Sequence, residues 1–309
     1  MPTLRLGTRG SALAMAQSSQ FAEALSACTG VVVETVLVKT LGDAHQTSAD
    51  APPPGIHAGV GIFTKALEDA LLDGRIDFAV HSLKDLPCIL DERFALAAVP
   101  TRADHRDALC ARDGLTLAGL PAGACVGTGS PRRRAFIKRL RPDLELVPIR
   151  GNIGTRLGKV GTELDAVVLA YSGLCRGSLE GAVTELLGIL PAPGQGALGL
   201  ECRADDQEAL AILQQMDDAN SRLTAGAERS LHLSLGGGCY APIAALASCE
   251  GGELRLHAAV AALDGSAMVE GKVSGPPSQV ERLVQTLSQE LCGAGALEIL
   301  ADARESIGG

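Results

Sequence analysis

The chain of 309 residues has no tryptophan, two tyrosines and five phenylalanines. So few rings exclude a base-stacking surface for single-stranded nucleic acid. Positive charge is also short: 27 basic against 36 acidic residues leave a formal charge of −9. That balance argues against general binding to nucleic acid or to an anionic membrane. No apolar run approaches the roughly 18 residues of a membrane span, and Met1 to Arg9 lacks the apolar segment of a signal peptide. A cytoplasmic protein with no nucleic-acid and no membrane partner is therefore expected. The nine cysteines form no CxxC pair, and the six histidines do not cluster near them, so no metal site is expected. The thiols read as small hydrophobes of a reduced compartment.

Hydrophobic residues at 46% and charged residues at 20% are ordinary for a globular chain. At roughly 150 residues per domain, the length accommodates two or three domains. Thr3 to Gly7 reads as a short strand, followed by a helix that Ser11 caps and that Leu13, Ala16, Phe21, Ala24 and Leu25 line. The β-branched run Val31 to Val38 predicts a buried strand. Gly42 to Gly61, with Pro52 to Pro54 at its centre, has no periodicity and reads as a long functional loop. Phe63, Ala66, Leu67, Ala70 and Leu71 predict an amphipathic helix ending at Gly74, and Ile76 to Val80 a strand that leads into the loop His81 to Pro87.

The pattern then recurs. Ala124 to Gly127, Leu144 to Ile149 and Asp165 to Ala170 read as strands, and Ser130-Pro131 opens a helix. Asp77-Phe-Ala-Val resembles Asp165-Ala-Val-Val, each an acid, an apolar strand and then a loop with a serine. Strands alternating with helices imply an α/β fold with two similar, mostly parallel-sheet lobes covered on both faces. After a helix over Ala219 to Leu235, the last ninety residues predict a small α+β domain. Its strands Glu253 to Ala261 and Ala267 to Val273 flank Asp264-Gly265, and a helix runs from about Gln279 to Leu291.

Between Arg132 and Lys159 lie nine cations (132, 133, 134, 138, 139, 141, 150, 156 and 159) and two anions, Asp143 and Glu145. A solvated basic face would explain them, but their position suggests more. With Ser130 as N-cap and Pro131 at the first helical position, Arg132 and Arg133 fall in the first turn. The helix dipole disfavours cations there. An anion held by helix terminus and guanidinium groups together would account for the placement. Arg150-Gly-Asn-Ile-Gly-Thr-Arg156 offers a second such site, and Arg9 before the Ser11 helix a third. Several arginine sites suit a ligand with several carboxylates or phosphates. Asp85, at the carboxyl end of a strand where α/β sheets bind ligands, is either a surface partner of Lys84 or a carboxylate that stabilises a developing cation. Gly236-Gly-Gly-Cys239 leaves a bare approach to a sulfur; a tight turn around an inert thiol explains it equally well.

Six motifs, in order, carry a resemblance that spans nearly the whole chain. They are Leu6-Gly-Thr-Arg-Gly-Ser11, His81-Ser-Leu-Lys-Asp-Leu-Pro87, Val126-Gly-Thr-Gly-Ser-Pro-Arg-Arg133, Arg150-Gly-Asn-Ile-Gly-Thr-Arg156, Pro193-Gly-Gln-Gly-Ala197 and Gly237-Gly-Cys239 with Pro242-Ile243. The chain closely resembles the hydroxymethylbilane synthase, or porphobilinogen deaminase, family of tetrapyrrole biosynthesis. The resemblance implies three domains: 1–99 with 197–216, 100–196, and 217–309. The first two are similar to type II periplasmic-binding-protein lobes, and the third carries the cofactor cysteine. It implies a transferase with a dipyrromethane cofactor, assembled from substrate and held by a thioether to Cys239. Four porphobilinogen units then add head to tail, each losing ammonia, and water releases the linear tetrapyrrole. By the same resemblance Asp85 and Lys84 are catalytic, and with Arg132 and Arg133 they also contact the cofactor. Substrate carboxylates and the growing oligopyrrole would be held by Arg9, Ser11, Ser82, Thr128, Ser130, Arg132, Arg133, Arg150, Asn152, Arg156, Arg176, Gln195 and Gly196. A monomer is implied.

One departure stands out. The family usually has glycine-lysine-glycine before the Phe63 helix and lysines in its lid, whereas here Gly59-Val60-Gly61 stands there and no lysine occurs between Lys39 and Lys65. The residues themselves leave two other readings open. A noncatalytic two-lobed anion-binding protein fits the arginines, and a cysteine-nucleophile transferase fits Cys239.

Overall fold

The computed structural model describes residues 3–38, 62–237 and 241–308. The chain divides into two compact units, Met1–Arg102 with Ala197–Arg222, and Ala103–Gly196 with Leu223–Gly309.

The first unit is built on a five-stranded sheet in the order β2-β1-β3-β10-β4. Its strands are β1 (Thr3–Thr8), β2 (Val32–Leu37), β3 (Phe78–Ser82), β4 (Phe94–Ala98) and β10 (Leu198–Arg203). β10 alone runs against the other four. One face buries Leu4, Leu6, Phe78 and Leu200 against Phe21 and Leu25 of α1 (Ala12–Thr29) and Leu213 of α6 (Gln207–Leu213). The other buries Ile76, Ala79 and Phe94 against Leu67, Ala70 and Leu71 of α2 (Ile62–Leu72). α1 begins where Ser11 accepts the Ala14 N–H and ends where Gly30, at φ 72°, returns its N–H to the Ser26 carbonyl, a glycine-specific stop.

The buried strand expected over Val31 to Val38 is corrected. β2 is an edge strand, with Val32 46% and Leu37 55% exposed; burial is confined to Val31 and Val38 at its ends. β-branched side chains favour the extended backbone wherever it lies, so they predict a strand and not its depth. The long loop expected over Gly42 to Gly61, and with it the departure at Gly59 to Gly61, lies outside the described residues.

The second unit repeats the sheet. β5 (Asp107–Ala111), β6 (Cys125–Gly127), β7 (Glu145–Val147), β8 (Ala166–Ala170) and β9 (Glu185–Leu187) stand in the order β7-β6-β8-β5-β9. Again the fourth strand in the order, β5, is the antiparallel one. The likeness of Asp77 and Asp165 is structural as well. The Asp77 carboxylate accepts the Arg5 N–H at 2.7 Å and the Asp77 N–H reaches the Arg5 carbonyl at 2.8 Å. Asp165 does the same with Cys125, at 2.7 and 2.9 Å. In each unit the acid before the central strand of the sheet pins the parallel strand beside it, β1 next to β3 and β6 next to β8. Gly7 and Gly127 are equivalent too, since a side chain at either would strike Ile76 or Leu164, the residue before that acid.

The antiparallel sheet of β11 (Ile243–Glu250), β12 (Glu253–Ala261) and β13 (Met268–Gly275) belongs to this unit. β12 alternates strictly. Leu254, Leu256, Ala258 and Val260 join a core with Leu231 of α7 (Ala219–Ser234), the adjoining Leu235, Leu287 and Leu291 of α8 (Val280–Gly293), and Leu300 of α9 (Ala296–Gly308). Ala259 and Ala261 face the other way, into a core with Phe136 and Ile137 of α3 (Pro131–Leu140). The hairpin turns at Asp264-Gly265 as expected, but over the six residues 262–267, closed by the Ala262 N–H on the Ala267 carbonyl. Gly265, at φ 77°, lies so close to the α3 backbone that a Cβ would come within 2.5 Å of Arg139 N.

Candidate active site

Parallel strands end together, so the residues that follow them gather along one sheet edge. In the first unit β1 and β3 are neighbours, and after them come Arg9 to Ser11 and Ser82 to Asp85. Leu83–Asp85 is one 3₁₀ turn. It is held by the Leu83 N–H on the Ala197 carbonyl at 3.0 Å, and by Leu83 and Leu86, both buried. Between these anchors Lys84 is half-buried and Asp85 is exposed, and Ser82, just before them at the end of β3, is half-buried. A carboxylate and an ammonium are thus displayed from a rigid base. Arg9 and Ser11 are half-buried, and Ser11 is occupied as the α1 cap.

In the second unit the ends of β6, β7 and β8, with the start of the antiparallel β5, bring Thr128, Ser130, Arg132, Arg133, the segment 150–156, Arg176 and Asp107 to one edge. Ser130 caps α3 through the Arg133 N–H at 3.3 Å, with Pro131 at its first position. The buried Thr128 hydroxyl accepts the Ser130 N–H at 3.2 Å. Asn152 caps the short α4 (Ile153–Leu157) through the Thr155 N–H at 2.8 Å. Arg156 Nε donates to the Gly151 carbonyl, and Arg150 is exposed.

Arg132 and Arg133 are buried, at 2% and 6% exposure, and both turn onto Asp107, which is wholly buried. Arg133 Nε donates to Asp107 Oδ1 at 2.9 Å, and its Nη1 donates to the Val168 carbonyl. Arg132 Nη2 lies 2.7 Å from Asp107 Oδ2, off the hydrogen-bonding line, and its Nη1 donates to the Leu190 carbonyl at 2.6 Å. The buried Gln195 completes the group: its amide nitrogen donates to Asp107 Oδ1 and to the His105 carbonyl. Burial pushes the Asp107 carboxyl up, but Arg132 and Arg133 outweigh it and hold the pKa down at about 2. Arg132 itself is pulled below its usual value by burial and then by Arg133. The anion that the sequence pattern required at the N-terminus of α3 is thus, in part, a carboxylate of the chain itself. Two guanidinium groups against one carboxylate leave one positive charge over. Arg132 Nε is buried and makes no hydrogen bond among the described residues.

Arg176, in α5 (Tyr171–Arg176), donates to the Gly196 carbonyl at 2.8 Å, and burial lowers its pKa. Gly196 has φ 90°, and a Cβ there would meet the Ala103 carbonyl oxygen at 2.5 Å. Gly196→Ala is therefore expected to cost about 1–3 kcal/mol through strain and overpacking. A thermal melt checks this, and an unchanged Tm would contradict it. Cys239 lies outside the described residues. Asp107 and Glu228 were not singled out from the sequence. The wholly buried Glu228 carboxylate accepts the N–H groups of Gly194 and Ala247 at 2.7 and 2.8 Å, joining the Pro193-Gly-Gln-Gly turn to β11.

Fold and site together define a chain of duplicated α/β lobes, each presenting cations and helix caps along the carboxyl edge of its sheet. Known proteins resolve this class further. Residues 4–211 match the family model "Porphobilinogen deaminase, dipyromethane cofactor binding domain", and residues 222–293 match "Porphobilinogen deaminase, C-terminal domain". A porphobilinogen deaminase of Corynebacterium glutamicum is 47% identical over 307 residues, covering 97% of this chain and 99% of the relative. One of Thermobifida fusca is 49% identical, covering 97% and 96%. The chain belongs to the porphobilinogen deaminase family. Among solved structures, the VFT2 domain of Bordetella pertussis BvgS aligns over 70% of this chain and 86% of its own, at 16% identity and a TM-score of 0.41. An arginine-specific periplasmic binding protein of Salmonella typhimurium aligns over 69% and 91%, at 13% identity and a TM-score of 0.39.

Proposed function

We propose that this chain joins four porphobilinogen units head to tail on a dipyrromethane held by Cys239 and releases hydroxymethylbilane by hydrolysis. The family match across both parts of the chain carries this reading. The residues present fit the cofactor. The group is rich in carboxylates, and the second unit offers a surplus buried positive charge with an orphaned Arg132 Nε.

When bound, the dipyrromethane supplies the pyrrole carbon to which the first unit is joined. The chain's own residues do the rest. As ammonia leaves porphobilinogen, its C–N bond breaks and a delocalised methylene-pyrrole cation forms, and the fixed Asp85 carboxylate stabilises it. Lys84, beside it on the same turn, supports the reacting ring or its carboxylates. The exposed Arg150 and half-buried Arg156 and Arg9 bind acetate and propionate groups, with Ser11, Ser82, Thr128, Ser130, Asn152 and Arg176 completing the set. Arg132 and Arg133 act through the positive charge that Asp107 leaves uncompensated, while Gln195 and Gly196 shape the segment that holds them. We read the functional division as three domains, 1–99 with 197–216, 100–196 and 217–309, acting as a cytoplasmic monomer. No described helix is long and apolar enough to cross a membrane.

Intact mass tests the assignment. The purified chain is expected to carry an adduct of two pyrrole units, and Cys239→Ala is expected to lose it with the other eight cysteines in place. An adduct persisting on the alanine variant would remove Cys239 from the mechanism. An unmodified parent chain would favour a noncatalytic binding protein.

A further inference from the structure

Behind the Leu83–Asp85 turn, the first unit buries two titratable side chains that the chemistry above does not use. His81, the last residue but one of β3, is 7% exposed, and Glu201 of β10 is 0% exposed. His81 Nε2 lies 2.9 Å from Glu201 Oε2. The other carboxylate oxygen, Oε1, makes no hydrogen bond among the described residues. Glu68 of α2 lies close enough to sense both charges. Its pKa is raised by burial first and then by Glu201, and His81 opposes the rise.

Such a pair is a poor device for stability alone. A buried carboxylate and imidazole give up their hydration, and an apolar pair of the same shape generally serves a core as well or better. A half-satisfied buried acid is costlier still. The location suggests what the pair does instead. In the β3–β10 ladder Gly199 pairs with His81 and Leu198 with Ser82, and the next β10-side carbonyl, of Ala197, takes the Leu83 N–H. A Cβ at Gly199 would come within 2.9 Å of Leu83 and 3.6 Å of Leu86, so the turn's two anchors fill the space that this glycine leaves. The His81–Glu201 bond therefore ties the last residues of β3 to the strand on which the turn rests, four residues before Asp85.

We propose that His81 and Glu201 are positioning residues: their buried bond fixes the Leu83–Asp85 turn so that Asp85 and Lys84 meet the reacting ring in one pose. The inference rests on the role assigned to Asp85 above. Misplacing a catalytic group by about 1 Å can cost on the order of a hundredfold in rate. The effect therefore falls chiefly on kcat, because most of the residues assigned to substrate holding lie outside this turn.

The test uses the cofactor-loaded enzyme, with porphobilinogen consumption and ammonia release normalised to the loaded fraction by intact mass. His81→Leu is expected to lower kcat by roughly ten- to a hundredfold with KM within about twofold. His81→Gln, whose amide nitrogen can reach Glu201 as Nε2 does, is expected to restore most of the loss. Glu201→Gln, which keeps shape and one hydrogen bond, is expected to lie between them. A kcat of His81→Leu equal to that of the parent, or a loss in KM alone, would overturn the proposal. Should His81→Leu not fold, parent-like kcat in Glu201→Gln together with no gain of His81→Gln over His81→Ala would overturn it equally. A parent enzyme that releases no ammonia would refute the proposed function, whereas an active parent with unaffected variants would refute only the positioning role.

Discussion

Asp85→Asn is expected to reduce the rate of ammonia release by about 10²–10³-fold while leaving the fold intact. The loss is one of charge. Departure of ammonia places a full positive charge on a delocalised ring, and a carboxylate fixed nearby lowers the barrier without having to reorganise. Asparagine keeps the shape and the hydrogen-bonding capacity of the side chain but not the charge. The local structure makes this a clean substitution. Asp85 is exposed, and the turn is held by the buried Leu83 and Leu86 and by the Leu83 N–H on the Ala197 carbonyl. Melting temperature and substrate binding should therefore stay close to those of the parent. Single-turnover ammonia release from loaded enzyme is the decisive measurement. A rate constant near that of the parent would mean that another group supplies the negative charge.

The parts of this site that could be read in the sequence are local ones. Ser11 and Ser130 sit immediately before their helices, and a hydroxyl three residues before an N–H is a pattern within one turn. The likeness of Asp77 and Asp165 proved to mark equivalent strands, because each acid serves the same backbone contact. Other features had no local signal. β5 and β10 each run antiparallel in an otherwise parallel sheet, a choice made by pairing with distant strands. β11 is rich in alanine, with little β-propensity; its sign was the Gly251-Gly252 turn, both glycines at positive φ, that joins it to β12. Asp107 was missed for the plainest reason. Its partners Arg133 and Gln195 lie 26 and 88 residues away, beyond any periodicity window. The sequence therefore pointed to an anion at the start of α3 without saying that the chain provides one.

That carboxylate carries the largest stability prediction. Removing one member of a buried charge cluster leaves the others desolvated and unpaired, at a cost of about 3–5 kcal/mol. In Asp107→Ala both Arg132 and Arg133 would lose their counter-charge while remaining buried, and Gln195 would lose one acceptor. For a chain of this size each kcal/mol lowers Tm by roughly 2–4 °C, so a fall of about 6–20 °C is expected. Asp107→Asn keeps an oxygen for Arg133 or Gln195 and should fall less. The same cluster sets an acid limit. The Asp107 pKa is held at about 2 in the folded chain against an ordinary 3.8. A depressed carboxyl stabilises the fold fully above its unfolded value, so the contribution persists above about pH 4 and is lost as pH falls toward 2. Melts from pH 7 to pH 2 should show the parent converging on Asp107→Ala at the acid end, although both lose stability there. A constant gap between them down to pH 2, or an alanine variant as stable as the parent at pH 7, would mean that the two arginines are held by something other than Asp107. Arg133→Met supplies the complementary measurement. It leaves Asp107 with Arg132 and Gln195, so its loss should be smaller than that of Asp107→Ala, and the carboxyl pKa, freed of one cation, should rise.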